Sequence, residues 1–159
     1  MKKKYKRFTR IVVATEDEKK IIKRRYPNIE IIVTGVGPLN VYQALRKVPR
    51  WYRIINFGYV GSNTLEIGKD YVVTSVTQYH PNVDYLEPLY ILDFDPKKDK
   101  DMAVCLSSND FVLETNITEP TLFDMELAYI CAMGFKHVRA IKRVSDNLNL
   151  DQYYETTTY

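Results

Sequence analysis

Short apolar runs recur along the chain, and polar or glycine-rich residues follow each one. Ile11-Val-Val-Ala14, Glu30-Ile-Ile-Val33, Arg53-Ile-Ile-Asn-Phe57 and Met102-Ala-Val-Cys-Leu106 have the length and composition of buried strands. Tyr71 to Tyr79 alternates and is rich in β-branched residues, which predicts a strand with one face packed. Tyr90-Ile-Leu-Asp-Phe94 is a further strand candidate, and Val138 to Val144 supplies the last before the polar triplet Ser145-Asp146-Asn147. Between the runs, Glu16–Arg25, Pro38 to about Lys47 and roughly Thr121–Met133 have helical character. Strands alternating with helices predict an α/β protein: three layers, with a mostly parallel or mixed central sheet flanked by helices.

Local chemistry places the breaks. Thr15 with Glu18 three residues on has capping-box spacing, and Glu16, Asp17 and Glu18 complement the dipole at a helix start. Tyr26-Pro27 ends that helix, Gly35 and Gly37 permit a tight turn, and Pro38 suits a first helical position. Amides at such a turn can hold an anion. Gly58-Tyr-Val-Gly-Ser62 reads as a second glycine loop, and residues 148–159 as an irregular polar tail. The polar segments at Thr34, Gly58, Ser107 and Ser145 follow strands, so in a parallel sheet they converge where α/β proteins bind ligands. Asp146 is accordingly either a cap or an acid–base group.

With 159 residues, 45% hydrophobic and 27% charged, the chain fits a single domain over 1–159. Much of its net charge of +3 lies in the basic start, residues 1–8; the near-neutral remainder gives no nucleic-acid footprint. No apolar run is long enough for a membrane span. Cys105 and Cys131 lack metal-type spacing and read as buried thiols of a reducing compartment, hence a cytoplasmic protein. His80 and His137 are far apart, so no metal site is expected.

A set of ordered motifs adds to this. Val33-Thr-Gly-Val-Gly37 with Asn40 comes first, then Ile54-Ile-Asn-Phe-Gly58 with Gly61, and Ile67-Gly-Lys-Asp-Tyr-Val-Val73. Ser107 with Phe111-Val112, Asp124-Met-Glu126 and Val144-Ser-Asp146 complete it. In this order the segments resemble the purine nucleoside phosphorylase/nucleosidase superfamily, and most of all its methylthioadenosine/S-adenosylhomocysteine nucleosidase branch. The resemblance implies hydrolysis of a purine nucleoside without cofactor or metal, in a homodimer or higher homo-oligomer. It implies that Asp146 protonates the leaving base, that Glu126 and Met125 hold the ribose, and that Phe111, Val112 and Ser145 meet the base. Gly35, Tyr59, Val60 and Gly61 are expected to contact the ligand from loops. Glu18, with Glu16 as the alternative, aligns with the glutamate that holds the attacking water.

Phosphorylases of this superfamily carry a Gly-Asp-Pro-type loop and arginines for phosphate, whereas Ala14-Thr-Glu-Asp-Glu18 is acidic and repels it. The resemblance therefore favours water as nucleophile, with phosphorolysis or binding without turnover as the alternatives. The departures are a shortened chain with little beyond Asn147, Tyr59-Val60 where small residues are usual, and Asn109-Asp110 before Phe111. The basic residue preceding Ser-Asp is either Lys142 or Arg143, depending on a one-residue gap.

Overall fold

The computed structural model describes residues 3–80 and 88–157. Eight strands make one mixed sheet: β1 Thr9–Val13, β2 Glu30–Val33, β3 Arg53–Ser62, β4 Asp70–Gln78, β5 Tyr90–Ile91, β6 Met102–Ser107, β7 Thr121–Asp124 and β8 His137–Asp146. The helices are α1 Lys3–Lys6, α2 Glu16–Arg25, α3 Pro38–Leu45, α4 Leu127–Ala132 and α5 Leu150–Thr157. β1 lies between β2 and β3, parallel to both. β8 runs parallel to β3 on one side and antiparallel to β4 on the other. Because β4 pairs with β6, β6 with β7, and β7 with the end of β3, these five strands close into a ring. Among the described residues the sheet edges are the short strands β2 and β5.

Two apolar clusters give the layers. One joins Val41 and Leu45 of α3 and Leu127, Ala128 and Ile130 of α4 to Val138, Ala140 and Val144 of β8. The other packs Ile22 of α2 on Ile11, Val13, Phe57 and Ile141. The β8 residues divide between the clusters by strand alternation. Cys105 and Cys131 are free and buried, and burial pushes the Cys131 thiol up to about 12. Among the described residues no helix is long and apolar enough to cross a membrane.

Three expectations are corrected. The helix expected from Thr121 begins at Leu127, because Thr121–Asp124 pairs with β3 and β6 as a strand. Gly58–Ser62 is not a loop but the second half of β3, paired with β8 throughout. The irregular tail contains α5, whose start is capped by Asn149: its side-chain oxygen accepts from the Gln152 amide at 3.0 Å.

Candidate active site

A cavity of about 280 Å³ opens at the carboxyl ends of β1, β3 and β8. Its wall holds Asp146, Ser145, Glu126, Met125, Phe111, Val112, Tyr59, Val60, Gly61 and Glu18, so all but one of the predicted site residues come together. The exception is Gly35. Its amide donates to the Ala14 carbonyl at 3.0 Å, and its neighbour Val36 forms the wall instead. Glu16, the alternative to Glu18, is exposed on α2. Among the described residues no three His, Cys, Asp or Glu side chains are grouped as a metal site.

Glu18 serves two purposes at once. It completes the capping box, its Oε2 accepting from the amides of Ala14 at 2.8 Å and Thr15 at 3.2 Å. Its Oε1 accepts from the Tyr59 amide at 3.2 Å, across on β3. The side chain is 6% exposed, and burial raises its pKa against the opposing pull of the Lys142 charge and those three amides. The cap and the cavity wall are one carboxylate.

Glu126 stands just before α4. The glycine turn at the head of α3 supplies the anion-holding amide expected of it: Gly37 N–H donates to Glu126 Oε1 at 3.4 Å. Met125 N–H donates to the other oxygen at 3.3 Å. Burial, then the Asp124 charge, push this carboxyl up to about 7, while Lys142 acts against them.

Asp146 is fully buried at the end of β8. The β3–β8 register slips there, with Val60 opposite Val144 but Gly61 opposite Asp146. The bulge turns Ser145 and Asp146 both toward the cavity, which strict alternation would forbid. Ser145 Oγ lies 2.8 Å from Asp146 Oδ2 and 3.2 Å from the Val60 carbonyl. Asp146 Oδ1 accepts from the Asn149 amide at 3.2 Å, so it also fixes the turn into α5. In that turn Leu148 sits at φ 61°, a left-handed conformation unusual for a bulky residue.

Two glycines make room. A Cβ on Gly61 would lie 3.1 Å from Asp146 Oδ1, and one on Gly58 would lie 3.4 Å from both Glu18 Oε1 and Lys142 Nζ. The second glycine segment is thus a strand stripped of side chains where charged groups approach it.

Two further residues meet at the centre, Lys142 and Asp124; the sequence offered Lys142 only as one of two alternatives and gave Asp124 no role. Lys142, 1% exposed, faces inward, with its Nζ 3.0 Å from Asp124 Oδ2. Arg143 faces outward to Asp70. Of the two basic candidates, Lys142 is the one turned to the buried carboxyls, and strand alternation was the available signal. Burial works against the Lys142 ammonium, but the charges of Asp124 and Glu126 outweigh it and raise its pKa. Asp124 is also held by the hydroxyl of Ser107 and the amide of Leu127, the latter at 2.9 Å.

α5 covers the cavity with Leu150, Tyr153 and Tyr154, and Tyr153 meets the Phe111 ring edge-on at 5.5 Å between centroids. Phe111 is half-buried against the cavity, not part of the core. Tyr59, for all its bulk, leaves the cavity open.

This mixed sheet flanked by helices has the fold of solved 5′-methylthioadenosine/S-adenosylhomocysteine nucleosidases. The Chlamydia trachomatis enzyme superposes with a TM-score of 0.76 at 19% identity, covering 94% of this chain and 89% of that one. The Neisseria meningitidis enzyme, solved with methylthio-immucillin-A, gives 0.73 at 16% identity, covering 94% and 91%. The Helicobacter pylori enzyme gives 0.72 at 16%, covering 94% and 90%. No family model and no curated relative matches the sequence.

Proposed function

We propose that the protein hydrolyses the N-glycosidic bond of a purine nucleoside, such as a 5′-thio-substituted adenosine. The observation that carries this reading is the meeting of three buried carboxyl groups, Asp146, Glu126 and Glu18, in the wall of one cavity. With the base at the Phe111–Val112 end, Asp146 donates a proton to the imidazole nitrogen of the purine. The glycosidic electron pair departs with the base, leaving an oxocarbenium-like sugar. Glu126 accepts hydrogen bonds from the ribose hydroxyls, and its charge stabilises that cation. Glu18 orients a water and takes its proton as the new C–O bond forms. Glu18 releases its proton to solvent, Asp146 takes one back, and free base and free sugar leave. The shared fold of the solved nucleosidases, one of them bound to MTA, supports the substrate class.

The carboxylates of Glu18 and Glu126 make the nucleophile's side of the cavity unfavourable for phosphate. A nucleoside panel, incubated with and without phosphate and analysed for free base by chromatography, is expected to show release independent of phosphate. A strong phosphate requirement would establish phosphorolysis instead, and binding without release would establish a binder. Asp146→Asn keeps an acceptor for the Asn149 amide, so the turn into α5 survives. It is expected to lower kcat by about 10²–10⁴-fold and to leave nucleoside affinity within about tenfold, ~1.4 kcal/mol. Undiminished turnover would remove Asp146 from the reaction.

A further inference from the structure

β3 and β8 finish at the carboxylate-lined cavity, and their opposite ends carry a surface of another kind. Arg53 opens β3 and His137 opens β8, facing one another in register. With Tyr5, Phe8 and Trp51 they line a hollow of about 470 Å³, within the size range of small-molecule sites. The ten residues of β8, roughly 30 Å of strand, separate this pole from Asp146.

Two short segments in which aromatic and basic residues are interleaved build the hollow, Tyr5-Lys-Arg-Phe8 and Trp51-Tyr-Arg53. Backbone bonds pin them together: Arg53 N–H donates to the Phe8 carbonyl at 2.9 Å, and Phe8 N–H to the Tyr5 carbonyl at 3.2 Å. The rings of Phe8 and Trp51 lie 4.7 Å apart between centroids, and those of Trp51 and Tyr52 are equally close. Packing accounts for Phe8 and Tyr52, which are half-buried. It does not account for Tyr5 and Trp51, which stay 50% and 54% exposed. The pole is also basic. The Arg7 guanidinium stands 5.5 Å from the Phe8 centroid, and the Arg53 guanidinium meets no carboxylate among the described residues. Two carboxylates at this pole are already engaged, Glu30 by Arg10 at 3.1 Å and Asp93 by His137 at 3.4 Å.

We infer that this hollow binds a nucleoside monophosphate, with the base stacked on Trp51 beside Tyr5 and the phosphate at Arg53 and His137. Aromatic faces accept any base, and a guanidinium matches phosphate oxygens in pairs. A phosphate monoester carries close to two charges, and the register of β3 and β8 sets two basic side chains next to each other. A nucleic-acid strand is the poorer match, because the net charge of the chain is only +3. The inference is independent of the nucleosidase reading, whose residues lie at the other pole.

Trp51 is the only tryptophan of the chain, so its fluorescence reads this hollow and not the other cavity. Adenosine 5′-monophosphate is expected to quench it saturably at low ionic strength. Adenosine should bind about three- to tenfold more weakly, the scale of two exposed ion pairs. Salt should narrow that gap, and inorganic phosphate alone should leave the emission unchanged. Arg53→Gln, at an exposed position, should bring the nucleotide down to the affinity of adenosine. Tyr5→Ala keeps the reporter and should weaken nucleotide and nucleoside alike, by about fivefold or more. Absence of saturable quenching, equal affinity for nucleotide and nucleoside, or a preference that survives Arg53→Gln would each overturn the inference. So would a short single-stranded oligothymidylate that binds far more tightly than the nucleotide, which would make a nucleic acid the ligand.

Discussion

Lys142 and Arg143 are adjacent on β8, each is paired with an aspartate, and they face opposite sides of the sheet. Arg143 meets its cross-strand neighbour Asp70 at 2.7 Å, with both side chains about 30% exposed. Lys142 meets Asp124 at 3.0 Å with neither reaching solvent. Distance hardly separates the two pairs; surroundings do. Water screens the outer pair, and its removal leaves two groups that rehydrate. The inner pair has no such alternative, and its charge reaches Glu18 and Glu126. An ion pair on one face of a strand is a surface detail, while on the other its cation opposes the rise in pKa that burial imposes on the carboxyls of the cavity.

Breaking the inner pair should have the largest effect on stability. Lys142→Met leaves the Asp124 charge buried without its cation, at a cost of about 3–5 kcal/mol. Adding Asp124→Asn removes the stranded charge and should recover much of that loss, which a double-mutant cycle from denaturant unfolding would measure. Loss of the same size in the double variant would mean that packing, not charge, holds the site.

The next effect in size concerns Glu126. Its carboxyl is raised from the ordinary 4.5 to about 7, so between those values the folded protein binds a proton that the unfolded chain has released. Stability from this group is therefore present at acid pH and lost as pH rises through about 7. Glu126→Gln should remove this slope and melt a few degrees above the parent at pH 8, roughly 1–2 kcal/mol by the usual conversion. In the proposed mechanism the carboxylate is the form that stabilises the ribosyl cation, so kcat/KM of the parent should climb as pH passes about 7. A flat profile across that range would separate Glu126 from the chemistry. The smallest effect belongs to the outer pair: Arg143→Met should cost within about 1 kcal/mol in the same unfolding measurement.

The parts of the site most legible in the sequence were those tied to local signals. Thr15 and Glu18 have capping-box spacing, Asp146 follows an apolar strand, and Glu126 stands in an ordered motif. What stayed hidden depended on pairing. Thr121–Asp124 is too short for its period to tell strand from helix, and only its neighbours β3 and β6 decide the matter. Asp124 and Lys142 are separated along the chain and become partners only when β7 and β8 take their places in the ring. α5 buries none of its residues; Leu150, Tyr153 and Tyr154 have helical spacing after the Asn149 cap, but three residues among polar neighbours are a short signal.

Closure of the five strands has a consequence for the protein in a crowded solution. Backbone that has already satisfied its donors and acceptors within the ring cannot recruit a neighbouring molecule's chain. Among the described residues, open backbone is left along the outer sides of a four-residue and a two-residue strand. Self-association by added strands has little to build on, and contacts between molecules fall to side chains instead.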